Sequence, residues 1–355
     1  MTVNRRKVLS GIVSGSITAM TTPIGQGAPL DDNTKRITTV RQGQESIKEK
    51  EVPKSWWRQL VHTRNVRRTL EENYLNQEAV KYISLGSSSS DLEDRDRPSV
   101  TVVVDFSNTT PTLPDTVEGV PVSIKEWVPP EPDACNTNCT EYNPVPGGVR
   151  VENNDYPSYE PATSCCPARD SANNAGLITC AHFYSCFDGK VKGKNLLQGN
   201  SSPKIVGEVT EFSWGDDFVF ADSTKSVSEV NIRDDINFSG RNVRGYVTKN
   251  ALADMMSTSG NDNVKKFGIN TGLDTGGNIE QIKKSKPLCD EQGDHFVEID
   301  LATGNGDSGG PYFKTYFDEN TNQYYDAVIA THYGNESDGS AAYNIANTYN
   351  IQFGL

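Results

Sequence analysis

The sequence predicts a mostly β chain, a barrel or sandwich of short strands, with a small α+β unit ahead of it. Three observations carry this. Hydrophobic residues make up only 35% of the chain, and Gly, Asn, Ser, Thr and Asp are abundant; such a mix suits a fold with many turns better than a helical bundle. From about Val145 onward, alternating segments such as GLITCAHF, KIVGEVTEF, DFVFAD, HFVEIDLA and YYDAVIATHYG recur between Gly, Asn and Asp, as in barrels and sandwiches. Upstream, Lys54 to Leu85 is rich in helix formers, and the strand-like VTVVVDF and GVPVSIKEW follow it.

Taken in order, the 355 residues divide as follows. Residues 1–28 form an export signal: Arg5-Arg6 precedes a short, mildly apolar run from Val8 to Met20. The run is too short for a membrane span, and the paired arginines resemble a twin-arginine signal. The chain is therefore expected to be secreted without stable membrane insertion, its signal cut near Thr22 to Ala28. Residues 29–53 are polar, lack periodicity and suggest a linker. Residues 54–128 suggest a helix, or two short ones, with Trp57, Leu60 and Val61 at helical spacing. A loop from Ser87 to Arg97 and strands over Val100–Phe106 and Gly119–Trp127 follow. This unit carries no chemical motif. Its position suggests a propeptide that aids folding or blocks the site; the alternative is a permanent accessory domain. A Pro- and Cys-containing linker spans 129–144, and a maturation cut is expected between Trp127 and Val145. Residues 145–355 form the strand-rich region, with one helix expected at Lys249–Met256.

The net charge of -13 argues against nucleic acid as a partner, since phosphate would be repelled. It fits either simple solubility or adaptation to high salt. The seven cysteines are Cys135, Cys139, Cys165, Cys166, Cys180, Cys186 and Cys289. An exported chain can form disulfides, and the odd number leaves one thiol over within a single chain. Cys135-x3-Cys139 with Cys165-Cys166 is a rival zinc reading, but adjacent cysteines are not a usual second knuckle. The expectation is no metal and no cofactor.

The chemistry concentrates in three places. Gly304-Asn305-Gly306-Asp307-Ser308-Gly309-Gly310-Pro311 presents a serine among glycines, which permit a sharp turn and close approach of a substrate carbonyl. The N–H groups of Gly306 and Ser308 are the candidate oxyanion donors. Leu177 to His182 is an apolar strand ending in small residues and an imidazole. Asp216-Asp217-Phe218-Val219-Phe220 sends a carboxylate into an apolar strand, which is costly without a partner. Asp217 is preferred to Asp216 because the apolar run begins directly after it. His182, Asp217 and Ser308 then form a catalytic triad in the order His, Asp, Ser. A G-x-S-x-G elbow is also satisfied, but that motif requires a following helix and the order Ser, acid, His; here YFKTYF reads as a strand.

These motifs resemble the trypsin superfamily, most closely its streptogrisin and glutamyl-endopeptidase branches, over roughly Val145 to Leu355. Gly147-Gly148-Val149 resembles the start of a mature streptogrisin-like domain, and Lys266 to Gly272 with Thr275-Gly276-Gly277 a hairpin of its second barrel. The resemblance implies an all-β double antiparallel barrel with the triad in the cleft, peptide or protein substrates, and a serine endopeptidase working through an acyl-enzyme. It also implies that Asp307 shapes the oxyanion loop by pairing with a buried cation or N-terminus. A bridge from Cys165 or Cys166 to Cys180 or Cys186 is expected near the site. A catalytically inactive binding protein and a narrow-specificity esterase are the alternatives.

The same resemblance addresses specificity. No acidic residue stands six positions before Ser308, which argues against an Arg/Lys preference. Thr303, Thr331, His332 and Gly334 match the substrate-binding pattern of glutamyl endopeptidases, in which a histidine and a hydroxyl hold a side-chain carboxylate. The expectation is Glu or Asp at P1, the residue before the scissile bond.

Overall fold

The computed structural model describes residues 33–77, 79–92, 95–106, 112–126, 138–153, 161–184, 191–199, 204–223, 227–232, 241–258, 262–284, 287–288, 291–292, 295–334 and 337–355. The export signal at 1–28 and Cys135, Cys186 and Cys289 lie outside them. The N-terminal unit comprises β1 (Thr34–Gln42), β2 (Glu45–Pro53), α1 (Lys54–Tyr74), β3 (Val80–Asp91), β4 (Asp96–Val104), β5 (Thr116–Val117) and β6 (Val120–Glu126). The next stretch holds β7 (Val145–Gly147), β8 (Arg150–Asn153), β9 (Ala162–Thr163), β10 (Pro167–Arg169), β11 (Ala175–Thr179), β12 (Asn195–Gln198), β13 (Lys204–Ser213), β14 (Phe218–Ser223) and β15 (Val227–Ile232). The last contains β16 (Val243–Val247), α2 (Lys249–Met256), β17 (Val264–Gly268), β18 (Gly272–Gly277), β19 (Ile279–Lys284), β20 (Pro287–Leu288), β21 (Glu291–Gln292), β22 (Phe296–Ile299), β23 (Pro311–Asp318), β24 (Gln323–Tyr333), β25 (Asp338–Ala341), α3 (Ala342–Tyr349) and β26 (Gln352–Phe353).

The fold is mostly β, as expected, and built on two large sheets. One runs β26-β10-β11-β14-β13-β12-β8-β9; the other runs β18-β17-β23-β24-β25-β22-β19 and continues into β3-β4-β6-β5. Most pairings are antiparallel. The exceptions are β4 with β6, β7 with β15, and β16 with β24. Strands β11 and β14 show why both read as unbroken apolar runs. Leu177, Val219 and Ala221 point into one core, while Ile178, Phe218 and Phe220 point into the other. A strand buried on both faces needs no polar alternation. This shared wall holds the first barrel against the second.

The N-terminal unit departs from the sequence-based division. Residues 34–53 are not a linker: β1 and β2 form a hairpin, and β1 pairs with β16. Both strands are largely solvent-facing and show little apolar alternation, with Ile37, Val40 and Val52 as the buried apolar anchors. The expected loop at Ser87–Arg97 is instead the tip of the long β3–β4 hairpin. Helix α1 is single, and its buried stripe is Trp56, Leu60, Thr63, Val66, Arg67, Leu70 and Glu71. Trp57 and Val61 lie outside that stripe, and Val61 is 40% exposed. Strand β3 pairs with β19, so the unit extends the second barrel's sheet. Trp56, Leu60 and Leu85 share one core with barrel residues such as Val297 and Tyr312, while Val66, Leu70, Ile83, Val100 and Val102 form a local one. Burying each large side chain is worth roughly 1.5–3 kcal/mol, so this joint is substantial. Two cations add to it: Lys50 Nζ stands 2.7 Å from Asp254 of α2, and Arg95 pairs with the same carboxylate. Among the described residues, no helix is long and apolar enough to cross a membrane.

Candidate active site

Each candidate triad residue sits at the end of an element that fixes it. His182 lies just past β11, and Asp217 closes the tight turn from Trp214 that opens β14. Asp217 takes a left-handed backbone, φ 43°, which Asp tolerates better than most residues. Strands β11 and β14 are neighbours, with Thr179 opposite Val219, and this brings the two residues together. His182 Nδ1–H donates to Asp217 Oδ2 at 2.8 Å; the backbone N–H groups of Ala181 and His182 donate to Oδ1 at 3.0 and 2.8 Å. The carboxylate is thus fully buried but triply held, while the His182 side chain keeps 23% exposure. Because the carboxylate accepts at Nδ1, that nitrogen carries the proton and Nε2 is left as the basic atom. Burial pulls the imidazole pKa down, but the Asp217 charge and the adjacent Cys180 thiol outweigh it and lift His182 well above 6.5. Asp216, the alternative acid, turns elsewhere and accepts from Asn344 Nδ2 at 2.9 Å and Tyr349 Oη at 2.6 Å.

Ser308 is nearly buried, 4% exposed, in the turn before β23. Its loop is clamped to the first barrel. Thr163 N–H donates to the Ser308 carbonyl at 2.7 Å, and Thr163 Oγ1 donates to the Gly306 carbonyl at 2.6 Å. Gly309 has φ 84°, and a Cβ there would come within 2.3 Å of the Thr163 carbonyl and Thr179 Oγ1, and 2.9 Å of Cys180 N. Only glycine lets the serine loop press this close to the segment that ends in His182. Among the described residues, no hydrogen bond joins Ser308 Oγ to His182; such contacts are often loose in a free enzyme and tighten with substrate. Gly306, with φ 97°, is buried beside Ser308.

Asp307 holds the loop from the other side. It is fully buried and faces the equally buried Lys266 at 2.6 Å. Thr271 Oγ1 and the N–H groups of Gly304, Asn270 and Thr271 also donate to it. Burial lowers Lys266 and on its own would raise Asp307, yet the nearby ammonium and hydrogen bonds keep Asp307 below its ordinary value. With five donors on one carboxylate, the charged pair is the state that satisfies the site. The cation expected for Asp307 is therefore Lys266.

Residues matched to a specificity site are brought only partly together. His332 is fully buried on β24, which is stitched to the serine loop: Gly309 N–H donates to the His332 carbonyl at 2.8 Å and His332 N–H to the Gly310 carbonyl at 2.7 Å. Burial and Lys266 drive the imidazole down to about 3, against the pull of Asp307, so it is neutral. Thr331 precedes it and faces the opposite side of the strand, opposite Ser340 in register; one pocket cannot draw on both side chains. Gly334 follows at φ 57°, and Thr303 is half-buried upstream of the serine loop. Tyr333 packs its ring edge-on to His182, centroids 5.5 Å apart.

The expected disulfide is overturned, because Cys165, Cys166 and Cys180 are free, buried thiols. Cys165 and Cys166 lie in the wall between the barrels, where apolar neighbours take up the sulfurs as small hydrophobes. Cys139 is disulfide-bonded, which removes it as a zinc thiolate. Among the described residues, a cavity of about 600 Å³ is lined by residues of β1, α2 and α3 and includes no triad residue. Sequence reasoning missed Lys266, Thr163 and Tyr312. Alternation along VKKFG places Lys266 with Val264 and Gly268, which was the available signal; nothing local marks the other two.

No protein-family model matches the chain, and no curated protein matches it. Solved structures do. A glutamic-acid-specific serine protease, described as using a histidine triad in substrate binding, aligns at 15% identity and TM-score 0.43, covering 59% of this chain and 100% of that one. A Nocardiopsis protease aligns at 14% identity and TM-score 0.39, covering 59% and 99%. Protease A of Thermobifida fusca aligns at 14% identity and TM-score 0.39, covering 59% and 97%.

Proposed function

We propose that this chain is a secreted serine endopeptidase that cleaves peptide bonds through His182, Asp217 and Ser308 and prefers an acidic residue at P1. The observation that carries the reading is the Asp217–His182 pair set beside a serine loop clamped by Thr163 and Gly309. His182 Nε2 takes the proton of Ser308 as Oγ attacks the scissile carbonyl. The N–H groups of Gly306 and Ser308 stabilise the oxyanion. His182 returns the proton to the leaving amine, and a water activated by the same nitrogen then hydrolyses the acyl-enzyme. Asp217 supports the imidazolium at each stage. Thr303, His332 and Gly334 form the site for the substrate carboxylate.

Residues 1–28 direct export by the twin-arginine route. The unit at 54–128, together with the β1–β2 hairpin, serves as a folding aid or an inhibitor. The pairing of β3 with β19 favours the folding role, since it supplies a template edge to the second barrel.

The test is casein cleavage by wild type and Ser308→Ala, followed by a peptide panel differing only at P1. Casein cleavage by the wild type alone, with Glu or Asp preferred in the panel, is the expected result. Ester hydrolysis without casein cleavage would assign the triad to an esterase. A folded, processed wild type inactive on every substrate would assign the fold to a binding protein.

A further inference from the structure

His332 is fully buried, yet its two ring nitrogens are not treated alike. Nδ1 lies 2.8 Å from the hydroxyl of Tyr312, whereas Nε2 is buried without a hydrogen-bond partner. A bare buried polar nitrogen is costly, and in a binding protein it is the kind of cost a ligand removes. Tyr312 is itself fully buried on β23 and opposes Ala330 on β24; its ring meets the imidazole at 74° with centroids 5.4 Å apart. Room for the phenol comes from Gly339, which opposes His332 on β25. A Cβ at Gly339 would stand 3.0 Å from Tyr312 Cδ2 and 2.8 Å from the Ala330 Cβ.

We infer that Tyr312 is the positioning residue for acidic substrates: its hydroxyl donates to His332 Nδ1, fixing the tautomer in which Nε2–H is offered to the P1 carboxylate. This rests on the acidic P1 preference proposed above. The direction of the Tyr312 bond follows from charge. A carboxylate accepts and cannot donate, so Nε2 must carry the proton; a neutral imidazole then has an acceptor at Nδ1. Burial, with Asp338, Asp307 and Asp274 nearby, pushes the phenol well above its ordinary value, so it keeps the proton it donates. The groups whose charges reach His332 are Lys266, Asp307 and His182, and the Gly334 backbone adjoins the ring. Lys266 is already paired with Asp307, so His332 recognises the carboxylate as a neutral donor rather than as a cation. The phenol touches no reacting atom.

The test compares wild type with Tyr312→Phe on matched peptides with Glu or Gln at P1. It also measures the fluorophosphonate labelling rate and the ¹⁵N signals of His332 in histidine-labelled protein, where only four histidines need assignment. Phe keeps the ring and its packing. The expected result is a loss of about tenfold in kcat/KM for the Glu peptide, the effect of one charge-assisted hydrogen bond losing its fixed partner. It falls mainly on KM, with Gln cleavage and labelling unchanged. The wild-type ¹⁵N signals should show Nε2–H, and the variant a mixture of tautomers. A Glu-to-Gln ratio unchanged in Tyr312→Phe, or an Nδ1–H tautomer in the wild type, would overturn the inference. A wild type that does not prefer Glu to Gln would overturn the specificity reading itself, and the tautomer measurement would still decide what Tyr312 does.

Discussion

Lys266 Nζ stands 2.6 Å from Asp307 Oδ2 with both side chains wholly buried, directly beneath the loop that presents Ser308. The loop is thereby held from within the second barrel, and its geometry requires no new chain terminus. Removing one partner strands the other's charge, a loss of about 3–5 kcal/mol for a buried pair. Lys266→Met is therefore expected to lower Tm sharply and to lose most kcat at temperatures where it remains folded. Thermal unfolding and fluorophosphonate labelling of the variant check this. A stable, fully active Lys266→Met would place the loop's support elsewhere.

The same pair makes a pH prediction. Asp307 is held below its ordinary value of 3.8 by the ammonium and its hydrogen bonds. Its contribution to stability is complete above the ordinary carboxylate range and is lost as pH falls through the lowered value. Acid unfolding should therefore shift to higher pH in Asp307→Asn, read as Tm against pH.

His182 carries the opposite sign. Its value is raised well above 6.5, and the protonated imidazole cannot accept the Ser308 proton. The acidic limb of kcat/KM should therefore have its midpoint above 6.5 and fall with decreasing pH. Asp217→Asn should reduce kcat by on the order of 10⁴-fold, the scale set by tautomer loss in such triads. Asp216→Asn, which alters contacts to Asn344 and Tyr349 and leaves the His182–Asp217 pair in place, should retain activity within about tenfold. A pH–rate series on both variants separates the two carboxylates.

The N-terminal unit should stay attached after cleavage. Its strands pair with β16 and β19, and Lys50 and Arg95 share Asp254. A cut between Trp127 and Val145 should leave two fragments that co-elute in size exclusion, and Asp254→Ala should weaken that association. N-terminal sequencing locates the cut; a mature start near residue 30 as the only terminus would remove the propeptide reading.

Legibility in the sequence followed locality. His182 and Ser308 stand in contiguous motifs, and Asp217 announces itself because a carboxylate opening an apolar strand demands a partner. The strand segments from Val145 onward and the α2 helix were visible from alternation and composition. Residues 34–53 were not, because each strand hides few apolar side chains and the hairpin is held by the pairing of β1 with β16, some 200 residues away. Thr163 and Tyr312 act through strand neighbours that no local spacing encodes. The Thr331–His332 grouping failed because adjacent strand residues face opposite ways. The expected cysteine bridge failed because Cys165 and Cys166 are spent on packing the wall between the barrels.

The most direct measurement is labelling of the purified protein with a fluorophosphonate probe, wild type beside Ser308→Ala, at low and high salt. Stoichiometric label in the wild type, mapped to Ser308 and absent from the variant, is the expected result. A folded, processed wild type that takes no label would contradict an activated Ser308 and leave the His182–Asp217 pair without a nucleophile to serve.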